Sequence, residues 1–117
     1  MISAFQAALS GLHAFGTKIQ SNSHNIANSN TDGFKRTQVN LESAVPHGVK
    51  TQIEQINTSA PKVFTEKSGE LTTVEPSNVD LGKELPEMYI NSQMYKANLK
   101  TIQTVDNMLG SLLKIKS

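Results

Sequence analysis

Asn25-Ile26-Ala27-Asn28-Ser29-Asn30-Thr31-Asp32-Gly33-Phe34-Lys35-Arg36 is the stretch on which the reading of the fold depends, because the periodicity of the chain changes across it. Upstream, from Ile2 to about Asn28, apolar residues recur with helical period. Phe5, Leu12, Ile19 and Ile26 are spaced seven apart, and Ile2 and Leu9 start a companion row that continues through Gly16 and Ser23. Two such rows form the a/d seam of a coiled coil. Toward its end the second row holds small and polar residues, which let another backbone approach closely. The run from Asn28 to Gly33 then reads as a helix stop and turn. Asn and Gly tolerate positive φ, and Asn, Asp and Thr side chains bond back to the main chain.

Downstream the pattern becomes β-like. Phe34 to Leu41 partly alternates and contains β-branched residues, and Val49 to Ile56 does so less regularly. Lys62-Val63-Phe64-Thr65 and Leu71-Thr72-Thr73-Val74 flank Lys67-Ser68-Gly69-Glu70, the pattern of a hairpin. Pro46, Pro61 and Pro76 punctuate the region. Short strands or extended arms are expected here, too few for independent stability.

Helical period returns more strongly from Asn78 to about Lys114. Leu81, Met88, Tyr95, Ile102 and Leu109 are spaced seven apart, with Leu85, Ser92, Leu99, Asp106 and Leu113 as the companion row. Asp106 breaks that row, and Val105 can cover the turn from one position earlier. Ser77 or Asn78 can cap the start, and Asp80 suits the positive end of the helix dipole. Pro86 either kinks this helix or opens it, in which case 78–85 is a separate turn. The expected fold is mainly α with a small β-rich insert. Its segments are residues 1–33, a helix and turn; 34–76, the insert; and 77–117, the second long helix, pairing with the first.

The bulk composition bounds function. The 117 residues make one domain's worth of chain, 37% hydrophobic but only 5% aromatic, so the core is expected to be thin and burial to be completed against neighbours. Eleven basic against ten acidic residues give a formal charge of +1, which argues against nucleic acid as a partner. No run approaches the roughly 18 apolar residues of a membrane span, so no membrane insertion is expected. The segment from Met1 to Thr17 has no charged side chain, so it lacks the positive region of a cleaved secretory signal. Without cysteine there is no disulfide or thiol chemistry, which suits a protein that travels unfolded.

Catalytic and metal chemistry are not legible. His13 and His24 are eleven apart, beyond the spacing at which helical side chains face each other, and His47 lies in the insert. No nucleophile motif surrounds any serine and no glycine-rich phosphate loop is present. No enzyme activity, metal or cofactor is expected. Lys35 and Arg36 read most simply as a solvated pair. The amides of Asn22, Asn28 and Asn30 read either as local caps or as contacts between subunits.

Two stretches resemble one family. Residues 25–36, with Ser10-Gly11-Leu12 ahead of them, resemble the N-terminal signature of bacterial flagellar basal-body rod and hook proteins. Ser77-Asn78-Val79-Asp80-Leu81, Tyr95-Lys96-Ala97-Asn98 and Ile102-Gln103-Thr104-Val105-Asp106-Asn107-Met108-Leu109 are similar to that family's C-terminal segment. The resemblance implies a structural rod subunit, exported through the flagellar export apparatus without signal cleavage. It implies terminal helices that pair as a coiled coil and line a tube in the periplasmic rod, transmitting torque. Partners would be further copies of the chain and other rod subunits. The assembly interface would comprise Phe5, Leu9, Leu12, Ile19 and Ile26; Asn28, Asn30, Gly33 and Phe34 of the turn; and Leu85, Met88, Tyr95, Leu99, Ile102, Leu109 and Leu113. Only 40 residues separate the two stretches, against the large middle domain of distal-rod and hook members, so the length resembles the proximal rod proteins while the C-terminal segment resembles the distal class. A soluble coiled-coil binding module, such as an export chaperone or adaptor, is the competing expectation.

Overall fold

A computed structural model describes residues 2–116. Helix α1 (Ile2–Ala27) is followed by strands β1 (Thr37–Ser43), β2 (Val49–Gln55), β3 (Val63–Lys67) and β4 (Glu70–Val74), then helix α2 (Leu81–Lys116). At 1.5 Å per residue the 26 residues of α1 span about 39 Å and the 36 of α2 about 54 Å. The molecule is accordingly a slender body of 80 × 23 × 19 Å.

The two helices pair antiparallel within the chain. Asn22 meets Glu84 and Asn91, Gly16 approaches Tyr95, and Gly11 lies against Asn98, so α2 numbers rise as α1 numbers fall. The facing residues are not the large apolar rows of the sequence. On α1 the buried positions are Ala8, Gly11, Ala14, Asn22 and Asn25. On α2 they are Glu84, Asn91 and Val105. The expected α2 row Met88, Tyr95 and Ile102 is half-buried. Its inward companion is the row Glu84, Asn91, Asn98 and Val105, one residue earlier than Leu85, Ser92, Leu99 and Asp106. Gly11 shows why small residues face inward: a Cβ there would lie 2.5 Å from Asn98 Oδ1. The backbones come closer than bulky side chains allow. The buried hydrophobic core is thin, comprising Ala8, Ala14, Val39 and Val105 among the described residues.

The insert forms two separate two-stranded antiparallel sheets, β1 with β2 and β3 with β4. The first lies along α1. Ser10 Oγ accepts from Val49 N at 3.1 Å, Ser21 Oγ pairs with Thr37 Oγ1 at 2.8 Å, and β1 buries Val39. Strand β1 begins at Thr37 rather than Phe34 because residues 33–36 bond to the segment before α2 instead: Gly33 N donates to Glu75 O and Asn78 N to Phe34 O. The second hairpin turns through Ser68 and Gly69 at φ 55° and 82°. Two successive positive φ values match the twist of a tight hairpin, and Gly adopts its angle without strain. This hairpin stands in solvent, with Phe64 76% exposed.

The start of α2 departs from the expected cap. Asp80 is the N-cap: its Oδ1 accepts from Gly82 N at 3.0 Å and its carbonyl from Glu84 N at 2.9 Å. Asn78, spent on other bonds, precedes the helix. Pro86 lies inside a single continuous helix, so 78–85 is not a separate turn. The proline forfeits one hydrogen bond, to the Gly82 carbonyl, in the second turn of the helix.

Candidate functional site

Where the end of α1, the start of β1 and the start of α2 meet, the interior is polar. Glu84 is only 2% exposed. Its carboxylate accepts from Asn22 Nδ2 at 2.7 Å and Asn25 Nδ2 at 3.2 Å, and Arg36 lies 3.9 Å away. Asn22 Oδ1 in turn accepts from Asn91 Nδ2 at 2.7 Å. Asn25 also grips the backbone of Thr37, donating to its carbonyl at 2.8 Å and accepting from its N–H at 2.9 Å. No buried side-chain nitrogen or oxygen among the described residues lacks a partner. A buried carboxylate is costly unless paired and hydrogen-bonded, and here both conditions are met.

Beside this cluster, Asn78 closes a second junction. Its Oδ1 accepts from Arg36 N at 2.7 Å, and its Nδ2 donates to Ile56 O at 2.7 Å and Thr58 O at 3.1 Å. The two stretches of family resemblance therefore meet in space, joined by their own side chains. Lys35 and Arg36 are not a solvated pair: Lys35 bonds to Glu75 and Arg36 faces Glu84. Asn22 is likewise committed inside the chain rather than to a neighbour, because it sits on the face of α1 that meets α2.

The Lys35 hydrogen bond holds the Glu75 carboxyl below its ordinary value, against a smaller opposing effect of burial. The stabilisation is therefore complete above the unfolded-chain pKa and disappears as pH falls through the lower folded value. Thermal melts should show the wild type losing more Tm than Glu75→Gln between neutral pH and about pH 3. Added salt should shrink the difference.

The remaining expected site residues lie as follows. Asn28 caps α1, its Nδ2 donating to His24 O at 2.9 Å and its Oδ1 accepting from Thr31 Oγ1 at 3.2 Å. Asn30 is exposed. Gly33 adopts φ 73°, which needs glycine's freedom, and Phe34 packs edge-on against His24 at 5.3 Å. Leu12, Ile19 and Ile26 are half-buried along the flank of the seam. Phe5, Leu9, Leu85, Leu99, Leu109 and Leu113 are exposed. Phe5, Leu99 and Ile102 line one open groove. Among the described residues no group of three His, Asp or Glu could hold a metal ion, and no helix is long and apolar enough to cross a membrane.

The sequence model for the C-terminal segment of the flagellar basal body rod FlgEFG proteins matches residues 72–115. The flagellar hook protein FlgE of Treponema pallidum is 36% identical over 84 residues, 68% of this chain. FlgE of Salmonella typhimurium is 42% identical over 50 residues, 41% of this chain. FlgE of Escherichia coli is 42% identical over 43 residues.

The chain belongs to the flagellar rod and hook protein family.

It spans 18%, 12% and 11% of the length of these three relatives. Rod and hook proteins are structural components of the flagellum. In this member of the family, sequence reasoning missed Glu84, Asn25 and Asn91. A signal for them existed: Glu84, Asn91 and Asn98 are spaced seven apart, and Asn22 and Asn25 are spaced three apart on one face of α1. Polar residues at seam spacing are a pattern that a search for apolar rows passes over.

Proposed function

We propose that the chain is an axial structural subunit of the flagellar rod, which assembles through its terminal helices and passes torque from subunit to subunit. The observation that carries this reading is the placement of its apolar residues. Small and polar side chains close the helix pair, while Ile2, Phe5 and Leu9 on α1 and Leu99, Leu109, Leu112 and Leu113 on α2 are left uncovered. A solitary hairpin gains nothing from such a face, whereas a bundle of subunits buries it. In this reading the partners are other copies and other rod subunits. The chain reaches the periplasmic rod through the flagellar export apparatus without losing a signal.

The test is truncation of the outward residues. Phe5→Ala and Leu109→Ala remove side chains that are 38% and 41% exposed in the monomer, so each should lower monomer stability by about 1 kcal/mol or less. Both should strongly reduce rod assembly, scored by motility and by the yield of basal bodies. Normal assembly by both variants sinks the proposal.

A hook subunit is the second reading, favoured by the matched relatives, which are hook proteins. Basal bodies from a deletion strain separate the two: a missing rod supports the first and a complete rod without a hook the second.

A further inference from the structure

We infer that Glu84 sets the register in which α2 lies on α1, selecting one pairing from others that the seam would otherwise accept. The apolar side of the seam does not choose. Small residues on α1 fit many partners. The α2 row Ile102 and Val105 continues one heptad later as Leu109 and Leu112. These two leucines lie beyond the point where α1 begins, about residue 108 by the observed pairing, and are 41% and 48% exposed. A slip of one heptad would draw them into the seam while Met88 slid past the end of α1, so burial alone does not hold the observed state against the slipped one.

Nor do the amides choose. Asn91 and Asn98 are seven apart on the row that faces α1. After a slip of seven, Asn98 stands where Asn91 stood and can offer Asn22 the same donor. Glu84 has no such substitute, because its place is taken by Asn91. An ionised carboxylate is acceptor-only and takes both Asn22 Nδ2 and Asn25 Nδ2 while facing the Arg36 guanidinium. An amide in that place accepts at one atom and presents donors at the other, toward donors. The slip would also carry Glu84 away from its amide partners. One polar group within a seam is enough to specify helix register in coiled coils. The Asn78 junction, with the bonds of Gly33 and Phe34 to the same segment, ties the chain ahead of α2 to the turn and the insert, outside the seam itself.

The register matters to the proposed assembly, since the slipped one would cover Leu109 and Leu112 that the observed one leaves free for a neighbour. The test, however, reads the isolated chain and is independent of assembly. The chain has no cysteine, so two introduced ones can carry spin labels at unique sites. Ser23→Cys on α1 and Gln103→Cys on α2 are both exposed. A one-heptad slip shortens the separation of these sites along the axis by about 10 Å.

The labelled wild type should show one distance. Adding Glu84→Leu should produce a second population shorter by about 10 Å. Asn22→Leu with Glu84→Leu, which removes the orphaned amide as well, provides a second route should the single variant not fold. A folded variant with the wild-type distance alone overturns the inference, even if its Tm has dropped. That result would make Glu84 a stabilising residue only and leave register to the Asn78 junction. Failure of both variants to fold also overturns it, because a register residue leaves the alternative pairing available.

Discussion

Asn25→Leu is expected to bring the protein close to unfolding. The side chain is 1% exposed and serves two partners at once. Its oxygen accepts from Thr37 N and its nitrogen donates to Thr37 O and Glu84 Oε1. Leucine is similar in size but serves none of these. The Thr37 N–H would then lose its partner at the first residue of β1, the Thr37 carbonyl would keep only Ser21 Oγ at 3.1 Å, and the buried carboxylate would lose one of its two amide donors. Each orphaned buried group costs about 1–3 kcal/mol, and the carboxylate lies at the upper end. The sum is on the order of 4 kcal/mol, against a total stability of about 5–15 kcal/mol for an ordinary domain. With so few large side chains buried, this protein belongs at the lower end of that range. Urea unfolding followed by circular dichroism should show a large fall in the midpoint with an unchanged slope. A loss below about 1 kcal/mol would mean that Thr37 finds other partners and that the cluster is not a single cooperative unit.

The contrast with an exposed leucine is instructive about what can be read in sequence. The heptad spacing correctly located both helices, since period depends on the secondary structure alone. It did not locate the face each helix turns to the other. The rule that large apolar residues point inward holds for a closed globule. Here the large apolar residues lie on the flanks of the seam or are exposed, and the closest contact uses Gly11, because two helices approach most nearly where side chains are smallest. The second hairpin was legible for the opposite reason. Ser68 and Gly69 meet a purely local demand for positive φ, and no distant contact decides it. The cap of α2 was misread because Ser77, Asn78 and Asp80 are all competent caps, and only the fold commits the Asn78 side chain to Arg36, Ile56 and Thr58. Glu84 was invisible because a carboxylate in a helix is usually solvated. Its burial depends on three asparagines from two helices and an arginine, none of which is close to it in sequence except Asn91.

Asn78→Ala should separate the insert from the helix pair without dissolving the pair. The amide makes three bonds, to Arg36 N, Ile56 O and Thr58 O, and it is half-buried. Water can reach some of the freed groups, so the cost is about 2–3 kcal/mol rather than the full penalty of buried orphans. Its effect is local as well. Glu84 still binds Asn22 and Asn25, and Asp80 still caps α2. The segment from Ile56 to Val63 instead loses two of its anchors, while Lys35 keeps its own bond to Thr58 O at 3.3 Å. Opening of that segment should therefore become frequent at a temperature where the helices stay formed. Limited trypsin digestion reads this directly, because Lys62 and Lys67 lie in or beside the released stretch. Cleavage there should accelerate on the order of tenfold or more, the factor that corresponds to about 1.4 kcal/mol of easier opening, while ellipticity is nearly unchanged. Asn78→Asp keeps the acceptor for Arg36 N but sets a carboxylate oxygen against the Ile56 and Thr58 carbonyls, so its cleavage should also be faster than that of the wild type. If ellipticity instead collapses in parallel with cleavage, the two junctions are one structural unit, and the insert is as much a part of the helix pairing as Glu84.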